Sequence, residues 1–355
     1  MYKSFIRPLL FLIEPEKVHH WVVVTVKCLY RIPGFNRLLQ NFTGGSGTAG
    51  HTVIAGLSFR NRVGLAAGFD KNADFYREFS MFGFSFIEIG TVTPRPQAGN
   101  IKPRLFRLKN DSALINRMGL NNKGVDYAVQ QLKKQDRNLI VGGSIGRNTD
   151  TPNEKAADDY IVCFEKLYDV VDYFSINISC PNVAGMEKLQ DLDTLGEILT
   201  LLMNARRRQP VYKPVFLKIS PDVNFGYIDQ VLVLVRKTGL DGIIAANTTT
   251  KREGLSEAQD RIARIGAGGL SGKPLTERTV EMISYICKQT GNTLPVIAVG
   301  GVMSPENALR MIRAGAGLLQ IYTGFIFEGP FLVRKINRAL REYYQLNNRI
   351  SDQAV

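Results

Sequence analysis

Eight short apolar runs of strand length, each followed by a polar or glycine-rich break, recur along the chain and limit what it can fold into. They cover residues 62–67, 84–90, 139–144, 173–178, 215–219, 242–246, 296–299 and 318–322. Several are apolar almost throughout, the pattern of parallel strands buried on both faces. The stretches between them mostly repeat at helical period. Asn307, Leu309, Met311, Ile312 and Ala314, for instance, follow Ser304-Pro305, an N-cap and first-turn pair. Eight strand–helix units in about 280 residues predict a (β/α)₈ TIM barrel. A doubly wound open sheet competes, but it normally uses fewer strands.

In a barrel of this kind, chemistry sits just past the C-terminal ends of the strands. Polar and glycine-rich residues gather there: Gly68-Phe69-Asp70-Lys71, Thr91-Val92-Thr93, Asn177 to Asn182, Lys218, Asn247-Thr248, Gly300-Gly301 and Tyr322-Thr323-Gly324. Taken singly they serve as turns and caps. Found together at one end of the strands, they predict a single ligand-lined mouth. Gly300-Gly301 and Tyr322-Thr323-Gly324 follow the last two strands, where such barrels grip phosphate through backbone N–H groups. A tight turn also accounts for the glycine pair alone. No G-x-G-x-x-G follows the first strand, so a one-phosphate flavin, FMN, fits better than NAD. Lys71 and Lys218 end strands, where an ammonium can hold a carboxylate or a reduced flavin ring. Lys218 lies within Val215-Phe216-Leu217-Lys218-Ile219, and burial there without a partner is costly. Asn116, Asn177, Asn182 and Asn247 supply the paired donors and acceptors that a pyrimidine edge requires.

The chain carries 45 Lys and Arg against 32 Asp and Glu, a formal charge of +13 that favours anionic partners. The basic residues are scattered apart from Arg206-Arg207-Arg208, which reads as a solvated helix end, and no nucleic-acid motif is present. Cys28, Cys163, Cys180 and Cys287 form no C-x-x-C pair, so neither a disulfide framework nor a metal site is expected. Cys28, Cys163 and Cys287 are expected to be buried packing residues.

Residues 1–42 form a separate helical segment, residues 43–51 a glycine-rich linker, 52–345 the barrel and 346–355 a tail. In the first segment Phe5, Ile6, Leu9, Leu10, Leu12 and Ile13 make one apolar stripe. Val18, Trp21, Val22, Val24, Val26, Leu29 and Tyr30 make another after Glu14-Pro15-Glu16. Neither approaches the ~20 residues needed to span a bilayer. Lys3, Arg7, Lys17, Lys27, Arg31 and Arg37 outnumber Glu14 and Glu16. Two such helices suit an anionic membrane surface, and they equally suit a hairpin packed on the barrel. His19 and His20 are assigned no chemistry.

Three further stretches join these: Gly64 to Lys71, Glu88-Ile89-Gly90-Thr91-Val92-Thr93-Pro94-Arg95-Pro96-Gln97 and Asn116-Arg117-Met118-Gly119-Leu120-Asn121-Asn122. With Asn177-Ile178-Ser179-Cys180-Pro181-Asn182, Gly269 to Leu275 and Gln320 to Phe325, they resemble the motifs of the dihydroorotate dehydrogenase family, over essentially the whole chain. The resemblance implies oxidation of dihydroorotate to orotate on FMN in pyrimidine synthesis. It implies a flavin site of Ala67, Gly68, Lys71, Thr91, Ser144, Asn177, Lys218, Ala246, Gly272, Gly301, Tyr322 and Thr323. Dihydroorotate would be held by Lys71, Asn116, Arg117, Met118, Gly119, Leu120, Asn177, Asn182, Asn247 and Thr248, with Cys180 as the base.

Three departures stand out. Cys180 takes the base position, where quinone-type members usually carry serine and soluble members cysteine. Ser144 stands where the family has asparagine, and Ala246 where it has threonine. A thiol, with a reference pKa of ~8.5, yields some thiolate near neutral pH and can act as a base unaided. The N-terminal segment resembles the helical pair of the quinone type, with Arg107 and Tyr322 expected beside the quinone. A membrane quinone is therefore the expected oxidant, with peripheral attachment to the cytoplasmic face of a bacterial inner membrane. The alternatives are a soluble-type enzyme using fumarate or NAD, a dihydropyrimidine dehydrogenase-like flavin domain, and a non-catalytic phosphate-ligand-binding barrel tethered to membrane.

Overall fold

The computed structural model describes residues 2–43, 51–133, 139–178 and 190–353. In chain order the strands are β1 (Thr52–Ile54), β2 (Leu57–Phe59), β3 (Val63–Leu65), β4 (Phe86–Val92), β5 (Leu105–Leu108), β6 (Ala113–Asn116) and β7 (Ile140–Ile145). They continue with β8 (Tyr173–Asn177), β9 (Val215–Ile219), β10 (Gly242–Ala245), β11 (Gly269–Gly272), β12 (Val296–Val299) and β13 (Leu318–Ile321). Eight of them close into a parallel barrel in the order β10-β12-β13-β3-β4-β7-β8-β9. These are the eight apolar runs of the sequence, with ends shifted by a residue or two. The second run extends to Val92 because that residue still pairs with Ile145 across an irregularity in the ladder.

The barrel interior is filled by alternating large and absent side chains, as small barrels require. Phe86, Tyr173 and Phe216 pack edge to face, with ring centroids 6.3 and 5.6 Å apart. Gly64, Gly142 and Gly242 leave the space for those three rings, since a Cβ at each would collide with one of them. The β1–β2 hairpin closes this end, with Phe59 5.3 Å from Phe86.

Among the described residues a π-helical turn (Tyr2–Ile6) and three α-helices precede the barrel: α1 (Arg7–Leu10), α2 (Pro15–Tyr30) and α3 (Phe35–Thr43). Around the barrel come α4 (Tyr76–Phe79), α5 (Val125–Lys133), α6 (Ala156–Leu167), α7 (Leu192–Arg207) and α8 (Phe225–Thr238). After them come α9 (Gln259–Ile265), α10 (Thr276–Thr290), α11 (Pro305–Arg313), α12 (Thr323–Glu328) and α13 (Leu332–Gln353). Ser304 caps α11 as expected, its Oγ accepting from Asn307 N at 3.2 Å.

Two expectations are corrected. Cys163 and Cys287 are buried, but Cys28 is exposed, because α2 turns Val18, Val23 and Val26 inward and leaves Cys28 on its outer face. Arg206-Arg207-Arg208 do end helix α7, with Arg207 and Arg208 exposed as expected, but Arg206 forms a largely buried ion pair with Asp241 while also donating to Gly239 O at 3.1 Å. The antiparallel sheet β5-β6-β11, which lies over the barrel mouth, was not anticipated as strands. Four-residue strands are too short to show a periodicity of their own.

Helix α2 begins at Pro15, and the Glu14 carboxylate accepts from Glu16 N and Lys17 N, each at 3.0 Å. The N-terminal segment is stitched to the barrel by Tyr2 OH donating to Ile326 O at 2.6 Å and by Arg104 donating to both oxygens of Glu16. Its other side stays open, with Phe5 69 %, Leu12 79 % and Trp21 53 % exposed. Among the described residues no helix is long and apolar enough to cross a membrane.

Candidate active site

The C-terminal ends of the barrel strands and the β5-β6-β11 sheet enclose a cavity of about 1080 Å³, counting the space at its open mouth. Ala66, Lys218, Val299 and Gln320 come up from the barrel interior. Thr91, Asn177, Ala246, Asn247 and Thr248 form one side, and Gly300, Gly301, Tyr322, Thr323 and Gly324 the opposite corner. Asn116, Met118, Gly119, Leu120, Ser271 and Gly272 come from the covering sheet and its loops.

The asparagine side is preset by a directional chain of hydrogen bonds. Asn247 Nδ2 donates to Asn177 Oδ1 at 3.2 Å, and Asn177 Nδ2 donates to Thr91 Oγ1 at 2.8 Å. Thr91 and Ser144 share a hydrogen bond of 3.0 Å between their hydroxyls. At the opposite corner Gly301 has φ +77°, and a Cβ there would run into the Thr276 backbone, so only glycine lets the chain pass. Thr276 Oγ1 donates to Gly301 O at 3.0 Å and fixes this turn to α10. The first N–H groups of α12, on Thr323 and Gly324, have no partner within the helix.

Lys71 reaches the cavity from a locked turn. The buried Asp70 carboxylate accepts from Asp74 N and Phe75 N, both at 2.8 Å, and Lys71 Nζ donates to Asn121 Oδ1. Burial raises Asp70 to about 7. Burial likewise pushes the Tyr322 phenol to about 12, so it lines the cavity as a neutral group. Lys71 and Lys218 are then the charged side chains among the described residues that line the cavity. The cavity favours anions.

The structure thus brings together most of the residues expected at the site. Four described ones stand behind or outside its wall. Gly68 holds the turn by donating to Gly90 O at 2.7 Å, and Ser144 backs Thr91. Arg117 faces away, its guanidinium 4.9 Å from the Phe106 ring while it donates to Ile265 O and Pro103 O. Arg107 is buried under the N-terminal segment, donating to Ile13 O at 2.6 Å with its guanidinium 4.6 Å from the Phe11 ring. Cys180 and Asn182 lie outside the described residues.

A family model described as dihydroorotate dehydrogenase matches residues 50–344. The chain belongs to the dihydroorotate dehydrogenase family. It is similar to the dihydroorotate dehydrogenase (quinone) of Christiangramia forsetii, 46% identical over 343 residues that cover 96% of this chain and 99% of that protein. The Coxiella burnetii (strain Dugway) protein of the same name is 46% identical over 340 residues, covering 95% of this chain and 96% of the relative. Among solved structures, the Eimeria tenella DHODH in complex with ferulenol matches with a TM-score of 0.78 and 33% identity, over 88% of this chain and 91% of that one.

Membership of the family brings a flavin cofactor, and the cavity fits one. Its glycine corner is shaped for close approach of a phosphate, its lysines match a ring that becomes anionic on reduction, and its asparagines match a polar ring edge. Sequence reasoning missed Ser271, Gln320 and the apolar Leu105 and Leu114 as lining residues. Ser271 and Gln320 lie within the stretches Gly269 to Leu275 and Gln320 to Phe325. Which of those side chains faces the cavity depends on strand register, which no motif reports.

Proposed function

We propose that this chain oxidises dihydroorotate to orotate with FMN held in the barrel mouth, and that a membrane quinone is the final oxidant. The observation that carries this reading is one cavity with an anion-gripping glycine corner, two lysines and a fixed asparagine chain. It lies beneath an N-terminal helical segment with an open apolar side. Gly272, Gly301 and the N–H groups of Thr323 and Gly324 hold the phosphate, and Ala67, Thr91, Asn177 and Lys218 hold the ring. Gly68, Ser144 and Ala246 shape the same site, the first two from behind.

Lys71 binds the carboxylate of dihydroorotate, and Asn116, Asn177, Asn182 and Asn247 with Thr248 bind its ring edge. Met118, Gly119 and Leu120 cover it, and Arg117 ties down their loop. Cys180 removes a proton from the methylene beside the ring carbonyl, whose developing enolate charge the asparagine amides stabilise. FMN, when bound, accepts the hydride from the carbon that bears the carboxylate. Because Asn177 and Asn247 are already hydrogen-bonded to each other, their orientation costs little when substrate arrives.

Residues 1–42 serve as the quinone-access segment, joined through 43–51 to the barrel of 52–345. An edge-to-face series runs from Tyr322 at the cavity to Phe69 at 5.3 Å and on to His19 of α2 at 5.0 Å. Arg107 and Tyr322 flank this route. The exposed Phe5, Leu9, Leu12 and Trp21 enter the lipid headgroup layer from the cytoplasmic face of the inner membrane, and the basic residues meet anionic lipid.

The test uses the purified, flavin-loaded protein with dihydroorotate and, in separate reactions, a ubiquinone or menaquinone analogue, fumarate or NAD. Fast turnover with quinone alone is expected. Deleting residues 1–40 should remove that turnover and vesicle binding while sparing bleaching of the flavin by dihydroorotate. Turnover with fumarate or NAD instead would overturn the quinone assignment. A flavin that dihydroorotate cannot bleach would overturn the substrate.

A further inference from the structure

Beneath the cavity the barrel interior holds a polar cluster that the proposed chemistry does not use. Glu88 on β4 and Gln320 on β13 are 0 % exposed, and Tyr173 on β8 is 1 % exposed. Glu88 Oε2 accepts from the Tyr173 hydroxyl at 3.0 Å and from Gln320 Nε2 at 2.8 Å. Among the described residues, neither Glu88 Oε1 nor Gln320 Oε1 has a hydrogen-bond partner. Phe86, Phe216, Ile244 and Val299 pack in the same interior, with the buried Ser175 and Lys218 on the neighbouring strands β8 and β9. An apolar side chain at position 88 would pack there without the cost of desolvating a carboxylate.

Two donors converging on one carboxylate oxygen match the acceptor-only, ionised form. Burial and the Glu88 charge push the Tyr173 phenol well above its usual value, which keeps it a donor. Because the carboxylate can only accept, the Gln320 amide is held with its NH₂ toward Glu88. Gln320 also lines the cavity. The negative charge is therefore one side chain away from whatever occupies the site, opposite in sign to Lys71 and Lys218.

We propose that Glu88, acting through Gln320, is a positioning residue that lowers the reduction potential of the bound flavin. This rests on the flavin reading above. The two lysines stabilise negative charge on the reduced ring, and the Glu88 carboxylate opposes it from below, where low-dielectric surroundings screen it weakly. A lower potential favours release of electrons to the oxidant over their retention in the cavity. The Gln320 carbonyl, without a donor among the described residues, remains available to a donor on the cofactor.

The test is an equilibrium redox titration of full-length, flavin-loaded protein against a reference dye. Glu88→Gln keeps the shape and removes the charge. It should shift the equilibrium about tenfold toward the reduced flavin, or ~30 mV upward for a two-electron couple. Tyr173→Phe strips the carboxylate of one of its two donors, which disfavours the ionised form, and should move the potential upward by roughly threefold in the equilibrium. Flavin content is measured beside each titration. Variants that hold flavin at an unmoved potential would show the cluster to be structural and overturn the proposal. If Glu88→Gln does not retain flavin, the sign of the Tyr173→Phe shift decides alone. A wild-type chain that carries no flavin would instead overturn the functional reading.

Discussion

Acidification should loosen helix α2 from the barrel, and His19 sets the pH at which it does so. Its ring packs between Phe69 and Phe75, with centroids 5.0 and 5.6 Å away. Burial, reinforced by the positive charge of Lys71, lowers His19 from 6.5 to about 4. Once α2 comes away, the imidazole regains its ordinary value. A base whose docked pKa is depressed takes up protons more readily undocked, so docking is at full strength above about 6.5 and weakens as pH falls toward 4. At pH 5 linkage gives roughly 2 kcal/mol, about thirtyfold in the docking equilibrium. Glu16 acts in the same direction. Burial alone would raise it, but hydrogen bonds and charge from Arg104 and Lys102 outweigh burial and hold it below its usual value. Hydrogen exchange over α2, corrected for intrinsic rates, should accelerate between pH 7 and 5 in the wild type. His19→Gln, which cannot titrate, should flatten most of that rise. Coincident pH profiles for the two proteins would refute the role of His19.

Three further outcomes are expected. Gly301→Ala combines a left-handed backbone with a clash against Thr276, a local cost of roughly 2–5 kcal/mol; the flavin-to-protein absorbance ratio should fall severalfold, and full flavin content at an unchanged Tm would contradict the cradle. Arg104→Met leaves the carbonyls of Ala98 and Asn100 without that donor and Glu16 with Lys102 alone, at a cost of about 3 kcal/mol; limited proteolysis should cut the N-terminal segment faster, and unchanged protection would argue against the clasp. Cys180→Ala should retain flavin yet nearly abolish its reduction by dihydroorotate in single-turnover absorbance measurements, and near-normal reduction would remove the cysteine from the base role.

The barrel and most of its mouth were legible in the sequence because their signals are local. A strand buried on both faces must be apolar, so the eight runs stand out, and a turn that approaches phosphate must be glycine, so Gly300-Gly301 stands out. The cap at Ser304 is equally local, since its side chain satisfies an N–H group three residues away. What only the tertiary structure decided is the facing of side chains and the pairing of distant ones. Arg117 and Met118 are adjacent in one motif, yet Met118 lines the cavity and Arg117 turns outward to Ile265. Arg104 meets Glu16 across 88 positions, and Glu88 meets Gln320 across 232. Cys28 shares an apolar stretch with Val26 but lies on the other face of α2. Contacts of that kind arise when a barrel closes and a helix chooses one face to bury. They depend on register and rotation, which residue order along the chain does not encode locally.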